Sequence, residues 1–183
     1  MLILGVDEVG RGCLAGPVVA CACLFDEKFS YPEIKDSKKL SEKKRESLYN
    51  YILSNCIEYS FGVVCSYIID RVNILNATKQ AMQIAISGIK SDYDKVVIDA
   101  VKLKNLKKPS ESPVKAEDKY LSVAAASILA KVYRDRLMKK LHIYFPEYLW
   151  YKNKGYGTKE HIEAIKRYGV CDLHRRSFLG EIV

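Results

Sequence analysis

Three acidic residues close short apolar runs in this sequence: Asp7 and Glu8 follow LILGV, and Asp99 follows VVI. Strand ends are where α/β sheets tend to place ligands and chemistry. If the two runs are neighbouring strands, the three carboxylates converge. Such a cluster repels itself unless divalent cations hold it together, and hard oxygen donors favour Mg²⁺ or Mn²⁺. Acid clusters of this kind serve phosphodiester hydrolysis, where two ions about 3.5–4 Å apart activate the attacking water and stabilise the leaving oxygen. Adjacent strand residues point to opposite faces, so Asp7 and Glu8 can share a site only if their strand ends or bulges there. Gly10 supplies the freedom for such a break. Solvated acids that flank a turn and cap a strand explain the same residues equally well, and the acids alone leave that choice open.

The elements that must carry these groups are readable in outline. Residues 2–8 and 16–25 read as strands rich in β-formers, joined by a turn holding Gly10, Gly12 and Gly16. Residues 57–66 and 95–99 read as a third and a fourth strand. Helical patterns cover 41–55, with Ser41 as N-cap, and 73–90, starting at Asn73. The longest, 119–142, places Leu121, Ala125, Ile128 and Val132 on one face, with Lys131, Arg134 and Lys139 off that stripe. A last helix spans 158–169, capped by Thr158 and closed by Gly169. Residues 102–113 mix charge, Ser and Pro and read as a surface loop. The expected architecture is an α/β layer fold, a central mixed β-sheet flanked by helices with a helical C-terminal part over about residues 140–183, all in a single domain, 1–183.

Composition narrows the partners. Thirty Lys and Arg against 22 Asp and Glu give a net charge of +8, which favours polyanions such as nucleic acid or an anionic surface. No apolar stretch approaches the roughly 20 residues that span a bilayer, and nothing at the start reads as a signal peptide, so the expectation is a cytoplasmic protein. Six cysteines without a CxxC pair support neither a zinc site nor a disulfide framework, and read as reduced thiols packed as small apolar residues.

Six segments, taken in order, resemble the ribonuclease HII family: GVDEVGRGCLAGPVVACA at 5–22, DSKKLS at 36–41, VVIDA at 96–100, SVAAASILAKVYRD at 122–135, NKGYGT at 153–158 and HRRSF at 174–178. The resemblance implies a ribonuclease H-like fold and a two-metal endonuclease using Mg²⁺ or Mn²⁺. Its substrates would be RNA–DNA hybrids and duplex DNA carrying a ribonucleotide, cut on the 5′ side of the ribonucleotide. It implies a metal-holding, catalytic set of Asp7, Glu8, Asp99 and a fourth carboxylate just before the AAAS helix. The family's register puts that fourth group at Glu117, where ribonuclease HII normally has Asp, with Asp118 as the substitute if the loop shifts by one residue. Either acid would also suit the positive end of the following helix.

The same resemblance assigns Gly10, Arg11 and Gly12 to a turn whose backbone reads the ribose 2′-hydroxyl, the group that separates RNA from DNA. Tyr156 would pack on the deoxyribose that follows. Lys38, with Lys39, Lys43, Lys44 and Arg45 beyond it, and Arg175 with Arg176, are candidates for phosphate contacts. A solvated helix face accounts for Lys43 to Arg45 just as well. Asp135 reads as a structural partner of a neighbouring arginine.

Glu117 also resembles ribonuclease HIII, although the GRG turn is the type 2 form and Met1 leaves little room for an amino-terminal substrate-binding domain. A basic hybrid-binding module without catalysis is the remaining alternative, against which the retained acids argue. A monomer without an obligate protein partner is expected.

Overall fold

The first two strands lack polar–apolar alternation because both of their faces are covered. In the computed structural model, which describes residues 1–34 and 40–183, β1 (Leu2–Val9) is buried from Ile3 to Asp7 and β2 (Val18–Asp26) from Val18 to Phe25. Lys38 lies outside the described residues. With β3 (Glu58–Val64), β4 (Lys95–Ile98) and β5 (Ser110–Glu111) these strands form one sheet of order β3-β2-β1-β4-β5. The β1–β2 and β2–β3 pairs are antiparallel, whereas β1–β4 and β4–β5 are parallel, so the sheet is mixed as expected.

Helices cover both faces of the sheet. One face, with Leu4, Val6, Ala20 and Ala22, packs on Ala81, Met82 and Ala85 of the helix Ile74–Ser87. The other, with Val19, Cys21, Cys23 and Phe25, packs on Leu48 and Ile52 of α1 (Glu42–Asn55) and on Ala125, Ile128 and Leu129 of the long fourth helix, α4 (Leu121–His142). Ser41 caps α1 by accepting from the Lys44 N–H.

The segment expected as strand to 66 and helix from 73 resolves differently. A short helix α2 (Ser66–Val72) comes first, and Asn73, at φ 69°, both ends it and caps α3 (Ile74–Ser87) by accepting from the Asn76 N–H. Within the segment read as a loop, Ser110 and Glu111 pair with β4.

α4 departs from the single-stripe reading, because it is sandwiched. Its Arg134, expected off the apolar face, has no exposure, since the helix also packs on the C-terminal part. There α5 (Trp150–Asn153) and α6 (Lys159–Tyr168) gather Tyr148, Trp150, Ala164, Ile165 and Leu179 around Met138 of α4 and Leu14 and Ala15 of the glycine turn. Thr158 caps α6 and Gly169 ends it, as the sequence suggests. Among the described residues no helix is long and apolar enough to cross a membrane.

Gly5 sets the distance between β1 and α4. A Cβ there would lie 2.2 Å from the Ser122 carbonyl carbon and 2.3 Å from the Val123 nitrogen, both rigid backbone. Gly5→Ala is therefore expected to push α4 off the strand, costing about 2 kcal/mol and lowering the unfolding midpoint by roughly 6 °C in a thermal melt.

Candidate functional site

β1 runs in unbroken register past both acids, Asp7 opposite Cys21 and Glu8 opposite Ala20, so the irregular strand end expected from the sequence is not there. The two acids still share a site. Parallel β4 stops at Ile98 opposite Val6, leaving the flank of β1 beyond Val6 outside the ladder. Asp7 shares the pleat face of Cys21, toward α4, and Glu8 that of Ala20. Both side chains nevertheless line one cavity, beside the flank that β4 leaves open. Asp99 follows β4 directly and is tied to the same edge by its N–H, which donates to the Val6 carbonyl at 3.1 Å.

The result is a cavity of about 390 Å³ whose wall includes Asp7, Glu8, Asp99, Ser127, Lys131 and Tyr156. Burial, then the neighbouring Glu8 carboxyl, pushes the Asp7 pKa well above the usual carboxylate range, against the opposing pull of the Glu8 N–H at 2.8 Å and the Ser127 hydroxyl. Burial likewise raises Glu8, with Asp99 adding to the rise and the Arg11 guanidinium, 3.5 Å from Oε1, opposing it. Glu8 Oε2 is buried without a hydrogen-bond partner among the described residues.

Asp99 Oδ1 accepts from the Ala116 N–H at 2.8 Å, which ties the turn Ala116–Asp118 to β4. Glu117 in that turn is buried and Asp118 is exposed. Among the described residues no three acids, histidines or cysteines are drawn close enough to form a metal cage by themselves. The acids share a cavity wall rather than a finished coordination shell. In donor chemistry they fit a hard divalent cation: the groups are all-oxygen, mutually repelling, and in Glu8 incompletely partnered.

The glycine turn is held from beneath. Arg175 Nε, Nη1 and Nη2 donate to the carbonyls of Gly16, Arg11 and Gly10 at 3.0, 2.8 and 2.6 Å. Arg134 donates to Pro17, Lys154 and Ala15 at 2.8, 2.7 and 2.9 Å. Gly10, at φ 89°, lies so close that a Cβ would fall 2.3 Å from Arg134 Nε. The phosphate contact expected of Arg175 is thus replaced by a structural role, because the side chain has no exposure and its donors face carbonyls. Arg176 is exposed, with its N–H donating to Asp70.

Tyr156 reaches the cavity beside Lys131 Nζ, 5.4 Å from its ring centroid. Burial, with the Cys13 thiol beside the hydroxyl, pushes the phenol up to about 12. Asp135 pairs with Lys131 at 3.0 Å rather than with an arginine. Of the basic stretch beyond Lys39, Arg45 lines the cavity, whereas Lys44 pairs with Glu33. The sequence does not single out Ser127, and marks Lys131 only as a residue off the apolar stripe; their shared signal is the four-residue step from Val123 along one side of α4.

A carboxyl whose folded pKa is raised binds more protons folded than unfolded, so its contribution to stability falls as pH rises from the unfolded pKa through the folded one. With divalent ions chelated, Asp7→Asn should therefore raise the thermal midpoint by roughly 3 °C at pH 8, with the gain shrinking toward pH 4. Melts in a chelating buffer at the two pH values check this.

Residues 4–180 match the family model described as ribonuclease HII. A ribonuclease HII of Caldanaerobacter subterraneus subsp. tengcongensis is 49% identical over 181 residues, covering 99% of this chain and 75% of that protein. One of Rickettsia prowazekii is 49% identical over 178 residues, covering 97% and 91%. Among solved structures, the ribonuclease H2 of Pyrococcus horikoshii OT3 superposes with a TM-score of 0.84 at 27% identity, covering 100% of this chain and 97% of that one. The ribonuclease HII in a PCNA complex from Archaeoglobus fulgidus superposes at 0.81 with 26% identity, covering 96% and 94%. A ribonuclease HIII bound to Mn²⁺ shares the fold at a TM-score of 0.73 and 20% identity, covering 92% and 63%. With its edge-of-sheet carboxylates and near-complete match, the chain belongs to the ribonuclease HII family of endoribonucleases.

Proposed function

We propose that this chain hydrolyses the RNA strand of RNA–DNA hybrids and cuts duplex DNA on the 5′ side of an embedded ribonucleotide, leaving a 3′-hydroxyl and a 5′-phosphate. The observation that carries the reading is the shared cavity of Asp7, Glu8, Asp99 and Tyr156, with Glu8 ion-paired to Arg11 of the glycine turn. Chemistry and sugar recognition are thereby adjacent.

Asp7, Glu8 and Asp99, with the buried Glu117 close by in the turn that Asp99 holds, would bind Mg²⁺ or Mn²⁺; bound ions supply water activation and stabilise the leaving oxygen. Glu117 is preferred over Asp118 because only the former is withdrawn from solvent. Lys131 and Arg45 place positive charge in the same cavity, suited to orienting the phosphodiester. The GRG turn supplies close backbone approach to the 2′-hydroxyl, and Tyr156 an aromatic face for the next sugar. In this reading the enzyme acts in the cytoplasm as a monomer without an obligate protein partner.

A duplex with a single embedded ribonucleotide, incubated with Mg²⁺ or Mn²⁺, tests the proposal. Cleavage is expected at the ribonucleotide, lost on chelation, and reduced at least roughly 100-fold by Asp7→Asn or Asp99→Asn. Glu117→Gln should cost far more than Asp118→Asn; the reverse order would move the fourth ligand to Asp118. A ribonuclease HIII-like preference, favoured by the buried Glu117, instead requires cleavage of long hybrids and none of the single-ribonucleotide duplex.

A further inference from the structure

Tyr156 sits on a short turn between Gly155 and Gly157, outside any helix or strand, so its place in the cavity must be fixed by bonds from elsewhere. Two of these are local: the Tyr156 N–H donates to the Asn153 carbonyl, and the Thr158 N–H to the Tyr156 carbonyl, both at 2.9 Å. A third reaches that carbonyl from α6, where His161 Nδ1 lies 2.8 Å away. His161 is fully buried, and its Nε2 is 3.2 Å from both Trp150 Nε1 and His174 Nε2. His174, also buried, has its Nδ1 3.0 Å from the Cys171 amide nitrogen.

Groups with only one possible role decide where the protons are. The Trp150 indole can only donate, so His161 Nε2 accepts and the His161 proton is on Nδ1. There it meets the Tyr156 carbonyl, which can only accept. The Cys171 amide can only donate, so His174 Nδ1 accepts and its proton is on Nε2, facing His161 Nε2. Every ring nitrogen then has one role in a chain of two neutral imidazoles, with the single lone pair of His161 Nε2 shared between the Trp150 and His174 N–H groups. Burial holds both rings below the usual histidine range, His174 at about 4, where the neighbouring His161 and Arg176 add to the effect. The remaining groups facing the pair are Tyr148 and Trp150, whose rings stack 5.3 Å apart, and Cys171.

The far end of this chain meets the other substrate-facing segment. His174 forms an isolated β-bridge with Ala15, and the next residue, Arg175, holds the carbonyls of Gly10, Arg11 and Gly16. We infer that His161 and His174 are positioning residues for substrate recognition: their fixed tautomers join the Tyr156 turn to the glycine turn and set the spacing at which both meet the duplex. The inference rests on the reading of Tyr156 as a sugar contact.

The experiment compares kcat and KM on a single-ribonucleotide duplex for Tyr156→Ala, His161→Phe, His161→Asn and the Tyr156→Ala/His161→Phe pair, with thermal midpoints recorded for each. His161→Phe, which removes the donor to Tyr156, is expected to lower kcat/KM roughly tenfold, within the range that ångström-scale misplacement produces. His161→Asn, whose amide can still donate to that carbonyl, should recover most of it. In the Tyr156→Ala background His161→Phe should cost little more. If Tyr156→Ala is itself harmless, the sugar-contact reading is wrong and the inference falls with it. Damage from Tyr156→Ala combined with an innocuous His161→Phe, or with full additivity in the pair, overturns the inference alone. Nitrogen NMR of the wild-type protein at pH 7.5 gives an answer independent of any variant's folding: a proton on His161 Nδ1 and on His174 Nε2 is expected, and either opposite tautomer overturns the assignment.

Discussion

Two buried guanidinium groups beneath one loop are the interaction on which the rest of the site depends. Arg134 and Arg175 direct their donors at backbone carbonyls of residues 10 to 17 and at Lys154, and neither has measurable exposure. Burying a cation is costly unless its donors are satisfied, and the carbonyl dipoles of a tight turn can satisfy them only in one arrangement. The charge thus selects the conformation of the turn. Gly10 is required for the same reason, since any side chain there would occupy the space of Arg134.

The carboxylates obey the opposite logic. Asp7 and Glu8 are placed where burial and mutual repulsion raise their pKa values, so they oppose folding in their ionised form. The pairing of β1 with β2 does not itself need acids at these positions, since that ladder joins backbone to backbone. Divalent-ion binding, as proposed for this cluster, would convert the repulsion into affinity. The sheet topology makes this workable, because a parallel neighbour that stops at Ile98 leaves one flank of β1 open to both residues.

Much of the architecture was legible from local pattern. The four longer strands, the caps at Ser41, Asn73 and Thr158, the stop at Gly169 and the long α4 all follow from composition and periodicity, because each is specified by neighbours in sequence. What escaped was specified by distant partners. β5 consists of Ser110 and Glu111, polar residues that become strand only because β4 offers an edge. Arg134 read only as a residue off the apolar stripe because two of its carbonyl partners lie some 120 positions earlier. Arg175 read as a phosphate contact for the same reason, with partners about 160 positions away.

By itself the sequence determined the family and the candidate groups, since Asp7, Glu8, Asp99 and the glycine turn are recognisable by residue type, spacing and family resemblance. Tertiary structure alone decided how those groups meet. The period of a strand sends Asp7 and Glu8 to opposite faces, and only the early end of β4 lets them share a cavity. It also separated buried Glu117 from exposed Asp118, and brought Ser127 and Lys131 to the same wall. Which donors and acceptors come to face one another depends on long-range packing, and no local pattern of residue types encodes it.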